Sequence, residues 1–458
     1  MLKKLVSVFL LLVIVFSTNC YADDLDWEEA GNVWEEIRDV DALNKTEIPK
    51  LNSRAAIIFD RTSKTVIYGR NINDKRAMAS TTKIMTSILV LEKGDLNKEI
   101  EVCKKAAGTG GSRLGLKTGD KLKLRDLLYG LLLRSGNDAA VQIAIEIGGS
   151  IEGFADLMNE KAKELGLNNT HFVTPHGLDN DNHYTTAYEM ALLTDYALEN
   201  KDFAKIVGTK QTTITINGNP VDIHNTNELL GNLDGVNGVK TGFTSNAGRC
   251  LVTSCKRGDL NIITVVLGAD TKKFRTKDSI ELIEYTYKNY TQINIKNRVQ
   301  KEFEKWQKAN ESKIAIIKGK QPQVKLKANY CYDYELYPIN QLDLDNLKIQ
   351  IKCVQSLEAP IKADTEVGGI HIILNEKEIL VIPIVVGKEI ERKDVGCYFE
   401  EIMGGYMRIL LTNTIRQLYN INRKWEATDN VCYLKIIRYT PQSSAKAYVV
   451  YFLLLLIW

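Results

Sequence analysis

Several features are scarce in this chain of 458 residues, and each scarcity closes off a class of function. Charge of one sign is the first. Lysine and arginine total 60 against 57 acidic residues, a formal net charge of +3. The lysines are mixed with acids along the whole length, there is no basic stripe or nucleic-acid motif, and no nucleic-acid partner is expected. Histidine is the second. His171, His176, His183, His224 and His371 are the complete set, and none has metal-site spacing. The expectation is therefore no metal and no cofactor, with His176 and His183 structural. Cysteine is the third: eight residues without a Cys-x-x-Cys pair do not make a disulfide framework. Long apolar runs are the fourth. The last, Ala447–Trp458, is twelve residues. As a helix it would reach ~18 Å, against ~30 Å of hydrocarbon core, too short to span alone.

What is present begins with an address. Lys3 and Lys4 precede the apolar run Leu5–Phe16, and Cys20-Tyr21-Ala22 offers small residues at the −3 and −1 positions before Asp23. This pattern is a secretory signal, residues 1–22, cleaved after Ala22, so the mature protein works outside the cytoplasm. Lipidation at Cys20 is the alternative, and Asn19 before it fits that poorly. Length then calls for two or three domains.

Residues 53–69 read as two strands, Ala55–Phe59 and Thr65–Tyr68, around a polar turn. A helix starts near Ser80, with Ile84, Met85, Ile88, Leu89 and Leu91 on its buried side and Gly94 near its end. Residues 127–147 are mostly helical, interrupted at Arg134-Ser135-Gly136-Asn137, and further helices cover about 151–165 and 187–198. Residues 239–267 alternate as adjacent strands, and a closing helix covers about 278–287. Strands, helices, then strands make residues 23–290 an α+β domain, with helices packed on an antiparallel sheet. Residues 291–391 follow as a small all-β domain, with strand-like runs at 313–317, 324–328, 347–351, 370–374 and 379–386. Residues 392–458 hold an amphipathic stripe of Phe399, Ile402, Met403, Tyr406, Ile409 and Leu410, and then the apolar tail. The stripe would either pack on the protein or lie on a membrane surface.

The chemistry is concentrated in three short motifs. In Ser80-Thr81-Thr82-Lys83 the lysine falls on the same helical face as the serine. A serine hydroxyl is a weak nucleophile until a base takes its proton. A lysine serves as that base only when neutral. Its ordinary value near 10.4 must then fall by about three units, which burial and a second nearby cation can achieve. Lys-Thr-Gly occurs twice. Lys117-Thr118-Gly119 leads into a hairpin turn, whereas Lys240-Thr241-Gly242 precedes an alternating strand whose edge could pair with an extended peptide. Ser135-Gly136-Asn137 lies between helical segments and presents a hydroxyl and an amide.

Ser-x-x-Lys, Ser-x-Asn 55 residues later and Lys-Thr-Gly 105 beyond that form the triple that marks serine β-lactamases and penicillin-binding proteins. This order selects Lys240 over Lys117. The segments LLLRSGNDAAVQIA, FVTPHGLDNDNHYTTAYEMALL and GVKTGFTSNAGRCLV resemble serine D-alanyl-D-alanine carboxypeptidases, the low-molecular-mass penicillin-binding proteins, over about residues 50–290. Residues 356–386 resemble that family's C-terminal β domain more loosely, and the likeness ends near residue 420.

The resemblance implies a β-lactamase/transpeptidase-like fold. It implies Ser80 as nucleophile, Lys83 as base and Ser135 as proton relay. It also implies a substrate site of Asn137, Lys240, Thr241, Gly242, Phe243 and, more weakly matched, Arg275. The backbone N–H groups of Ser80 and Phe243 would form the oxyanion hole. The implied partners are a peptidoglycan stem peptide ending in D-Ala-D-Ala, β-lactam antibiotics as covalent inhibitors, and the outer face of the cytoplasmic membrane. Two other readings share the motifs: a class A-like serine β-lactamase, which would need an added glutamate that FVTPHGLDNDNHYTTAYE does not supply in a Glu-x-x-x-Asn setting, and a non-enzymatic cell-wall-binding protein.

Overall fold

A computed structural model describes residues 47–330 and 335–425, with side chains up to residue 420. The signal segment with Cys20, the residues Cys331 and Cys432, and the tail Ala447–Trp458 lie outside the described residues. The chain forms two compact units. Of the described residues, one holds 47–311 together with Leu326–Val354 and Glu366–Val385; the other holds Ser312–Lys325, Gln355–Thr365 and 386–425.

The first unit is organised by a five-stranded sheet of β1 (Ala55–Asp60), β2 (Thr65–Arg70), β3 (Val236–Thr244), β4 (Gly248–Arg257) and β5 (Leu260–Ala269), in the order β2-β1-β5-β4-β3. Every neighbouring pair is antiparallel. Side chains alternate across a strand, so a run without polar residues is buried on both faces. β1 shows this directly: Ala55, Ile57 and Phe59 enter one hydrophobic cluster, and Ala56 and Ile58 enter the other. The same alternation separates Cys250 from Cys255 on β4, so these two thiols lie on opposite faces and cannot pair.

The larger cluster lies under the helices α1 (Lys83–Lys93), α2 (Leu124–Leu133), α3 (Asn137–Gly148), α4 (Ile151–Glu164) and α5 (Ala187–Glu199). On the other face α6 (Lys272–Asn289) packs Ile280, Leu282 and Ile283 against Ile58, Leu251 and Val266. The α+β expectation holds in detail here. α6 starts six residues before the expected helix, capped by the Thr271 hydroxyl, which accepts from Phe274 N at 3.1 Å.

Two elements depart from expectation. The helix at Ser80 opens as a 3-10 turn, Ala79–Thr82, before α1 begins at Lys83. Also, α7 (Ile295–Asn310) lies where only β structure was expected; three buried residues, Ile295, Val299 and Phe303, define its narrow apolar stripe. The antiparallel sheet that follows contains β6 (Leu326–Ala328), β7 (Leu347–Cys353), β8 (Glu366–Leu374) and β9 (Lys377–Val386), in the order β6-β9-β8-β7.

The second unit contains a short parallel pairing of Ala315–Ile317 with Ser356–Glu358, tied by the Lys318–Glu358 ion pair at 2.6 Å. It ends in α8 (Val395–Trp425). Phe399, Ile402, Met403, Tyr406, Ile409 and Leu410 of that helix are exposed. Among the described residues, no helix is long and apolar enough to cross a membrane.

Candidate active site

Ser80 lies in the 3-10 turn that feeds α1. Ala79 before it adopts a left-handed φ of 47°, and the whole turn is buried. Three contacts hold the turn. Thr81 and Thr82 donate their hydroxyls back to the carbonyls of Met78 and Ala79 at 2.6 and 2.8 Å. His183 accepts the Val173 N–H at Nδ1 (2.9 Å), so its proton sits on Nε2 and is donated to the Thr82 hydroxyl at 2.7 Å. Gly177 packs directly on the turn, leaving no room for a Cβ.

Lys83 is fully buried, and its amine meets three oxygens: Ser80 Oγ at 2.8 Å, Asn137 Oδ1 at 2.8 Å and the carbonyl of His176 at 2.9 Å. Asn137 is oriented unambiguously, because its Nδ2 donates to the Gly110 carbonyl at 2.8 Å. The amide expected to face substrate thus also braces Lys83 and the segment at 110–116. That segment is fixed by Asp138, whose carboxylate accepts the N–H groups of Leu114, Gly115 and Leu116 at 2.8, 2.8 and 3.0 Å. Ser135 sits in the turn between α2 and α3 with a φ of 58°. Its hydroxyl is buried and has no hydrogen-bond partner among the described residues.

The strand β3 forms the opposite wall. It is an edge strand, and a Cβ on Gly242 would lie 3.0 Å from Ser80 N, tighter than an ordinary contact, so glycine eases the close approach of the strand to the Ser80 backbone. Lys240 is buried and donates to the Thr241 carbonyl at 3.0 Å. Thr226 ties the two walls together: its N–H reaches the Leu133 carbonyl at 3.1 Å and its hydroxyl meets that of Thr241 at 2.8 Å. Phe243 carries the guanidinium of Arg249 at 3.8 Å from its ring centroid. Lys117, the other Lys-Thr-Gly lysine, lies in an exposed turn closed by Asp120. Arg275 is almost fully buried in the first turn of α6, which excludes the reading of it as a surface arginine.

Three turns and an edge strand, far apart in sequence, therefore converge on Ser80. The family described as D-alanyl-D-alanine carboxypeptidase matches residues 42–271. This chain belongs to that family. The Penicillin-binding protein 5, C-terminal domain, matches residues 300–392. The D-alanyl-D-alanine carboxypeptidase DacF of Bacillus subtilis (strain 168) is 34% identical over 367 residues, covering 78% of this chain and 90% of the relative. DacC of Escherichia coli (strain K12) is 34% identical over 367 residues, covering 76% and 87%. Among solved structures, the carboxypeptidase DacD from Francisella tularensis superposes with a TM-score of 0.63 at 28% identity, over 76% of this chain and 96% of its own. Penicillin binding protein 5 from Haemophilus influenzae gives 0.63 at 26%, over 76% and 99%.

Within this carboxypeptidase-family site the two histidines are structural, as expected, and both are kept neutral. Burial pushes His176 down to about 3. Burial, then His171, pushes His183 down to about 4. The unfolded chain takes up these protons near pH 6.5 and the folded one only below 4, so stability is full above 6.5 and falls as the solution is acidified. Each histidine should cost roughly 2 kcal/mol between pH 6.5 and 5. Asp60 and Asp278, lifted by burial, act in the opposite direction, so the measurement must be a difference. Denaturation of the wild type and of His183→Gln at pH 7 and pH 5 should show the wild type losing about 2 kcal/mol more; equal losses would mean that His183 is not held neutral by the fold.

Proposed function

We propose that this chain is a serine-type D-alanyl-D-alanine carboxypeptidase that removes the terminal D-alanine from peptidoglycan stem pentapeptides through a Ser80 acyl-enzyme. The observation that carries the assignment of roles is the set of contacts at Lys83. Two of the oxygens that contact its amine, Asn137 Oδ1 and the His176 carbonyl, only accept hydrogen bonds. A neutral amine has two N–H bonds and one lone pair. With both N–H bonds given to those two oxygens, the lone pair faces Ser80 Oγ, where a base is needed.

In the proposed reaction Ser80 Oγ attacks the carbonyl carbon between the two D-alanines and Lys83 takes its proton. The N–H groups of Ser80 and Phe243 receive the developing oxyanion, each worth roughly 3 kcal/mol. The C–N bond breaks and D-alanine leaves with a proton relayed through Ser135, whose unpartnered hydroxyl is available for that step. Water then hydrolyses the ester and regenerates the serine. Lys240 supplies positive charge beside Lys83. Thr241 and Gly242 present the strand edge, Asn137 offers its second amide hydrogen, and Arg275 serves the substrate's carboxylate end. Penicillins would acylate the same serine and stay bound. Endopeptidase cleavage of cross-links would use the same groups and differ in cleft shape alone.

Residues 23–290 form the catalytic domain in this reading and 291–391 the β domain. The protein acts beyond the cytoplasmic membrane, delivered by residues 1–22, and the exposed apolar stripe of α8 rests on the outer face of the cytoplasmic membrane. Release of D-alanine from a Lys-D-Ala-D-Ala peptide tests the activity. A class A-like β-lactamase would instead turn over penicillin within seconds. Lys240→Ala should lower D-alanine release roughly hundredfold, while Lys117→Ala stays within about twofold of wild type because its side chain lies in an exposed turn. The reverse result would refute the choice of Lys240.

A further inference from the structure

The segment Asn225-Thr226-Asn227, between the strand Asn219–His224 and β3, is a hydrogen-bond hub that no step proposed above uses. The Asn225 side chain donates to the carbonyls of Val207 and Thr209 at 3.2 and 3.1 Å, and its backbone N–H donates to that of Lys210 at 2.8 Å. Asn227 is buried; its Nδ2 donates to the Gly238 carbonyl at 3.0 Å and its Oδ1 accepts the Leu229 N–H at 3.1 Å. The asparagine on each side thus fixes the backbone of Thr226. The Thr226 N–H fixes it a third time, at the carbonyl of Leu133, two residues before Ser135. A β-branched side chain on so restrained a backbone has little rotational freedom left. Its hydroxyl stands 2.8 Å from that of Thr241.

Thr241 is buried, and Thr226 is the hydrogen-bond partner of its hydroxyl among the described residues. Each hydroxyl has one hydrogen and can give or receive, so the direction of the bond between them is set by what else Thr241 meets. The leaving end of the substrate carries a carboxylate, which only accepts. Thr241 can meet such a group only by donating, and its own oxygen then accepts from Thr226. We propose that Thr226 is a positioning residue for acylation: it donates to Thr241 and so turns the one Thr241 hydrogen toward the cleft. Hydrogen bonds in such a chain polarise one another, and the first link strengthens the second. Without the Thr226 hydroxyl the Thr241 rotor loses its fixed direction and must be ordered each time a ligand binds. Thr226 does not touch the substrate in this role and acts through Thr241 alone. The inference rests on the carboxypeptidase reading and adds to it a residue that lies outside the three motifs.

Thr226→Val keeps the shape of the side chain and the N–H bonded to Leu133 but removes the hydroxyl; Thr226→Ser keeps the hydroxyl. Acylation by benzylpenicillin, which also carries a carboxylate, is timed by mass spectrometry for the wild type, both variants, Thr241→Val and the double variant Thr226→Val/Thr241→Val. D-Alanine release from a Lys-D-Ala-D-Ala peptide is measured alongside. Thr226→Val should slow acylation about tenfold, and Thr226→Ser should stay within about threefold of wild type. In the Thr241→Val background, already slowed, adding Thr226→Val should cost less than about twofold more, because the second residue has nothing left to act through. Wild-type acylation by Thr226→Val, equal slowing by Thr226→Ser, or losses that multiply in the double variant would each overturn the proposal. Absence of D-alanine release from the wild type, with the acylation pattern intact, would overturn the carboxypeptidase reading and leave the role of Thr226 assigned.

Discussion

Ser80→Ala protein incubated with benzylpenicillin should show no mass increment, whereas the wild type gains one penicillin per chain on the peptide containing Ser80. D-Alanine release should fall by a factor on the order of 10⁴ or more, because the nucleophile and its base act as a unit and removing one disables the other. The substitution is a clean test because it takes away a single oxygen. That oxygen contacts Lys83 at 2.8 Å, while Asn137 and the His176 carbonyl, which also contact the amine, remain in place. The turn itself is held by Thr81, Thr82 and His183, none of which touches Ser80 Oγ. Stability should change by no more than about 1 kcal/mol. A penicillin adduct that persists on another residue would show that the nucleophile has been misassigned.

Gly177→Ala should produce the largest loss of stability of any single-methyl addition near the site. Two causes add. Gly177 has a φ of 89°, where an L side chain is strained by roughly 1–2 kcal/mol. The new Cβ would also stand 1.9 Å from the Ala79 carbonyl oxygen and 2.6 Å from the Thr82 hydroxyl. Both contacts are with the turn that carries Ser80, so relief requires displacing either that turn or the segment whose His176 carbonyl accepts from Lys83. The fold should lose at least about 3 kcal/mol. Acylation by penicillin should slow by about 10², since a displacement near 1 Å misaligns the attack. Gly166→Ala is the control. It has a φ of 72° with nothing within 4 Å of the added carbon, and should cost only the backbone strain. If denaturation midpoints and acylation rates for the two variants were alike, the close packing of residue 177 on the nucleophile's turn would be refuted.

Much of this site was legible because its side chains carry their chemistry in their identity. Ser80, Lys83 and the turn at Ser135 are separated by fixed spacings, and the order of the motifs selects Lys240 over Lys117, which the fold leaves in an exposed turn. The sheet was legible for a similar reason: an apolar run such as Ala55–Phe59 of β1 leaves few alternatives to burial on both faces. The parts that escaped share a different property. His176 serves through its carbonyl, which every residue possesses. Thr226 acts as a clamp through one N–H and one hydroxyl, with no pattern around it. Asp138 reads in sequence as an ordinary acid in the first turn of a helix, yet its carboxylate collects three distant N–H groups. The helix α7 escaped because a stripe of Ile295, Val299 and Phe303 is thinner than the usual amphipathic face.

The edge position of β3 has one more consequence. A bare β edge pairs as readily with a neighbouring molecule as with a ligand, and proteins generally guard such edges against self-association. Here the guard is the turn that carries Ser80, whose backbone stands over Gly242 so closely that an added Cβ would lie 3.0 Å from Ser80 N. A broad sheet from another copy would collide with that obstacle, whereas a single slender peptide would not. Selectivity against fibrous stacking and selectivity for one extended chain thus arise from the same few atoms.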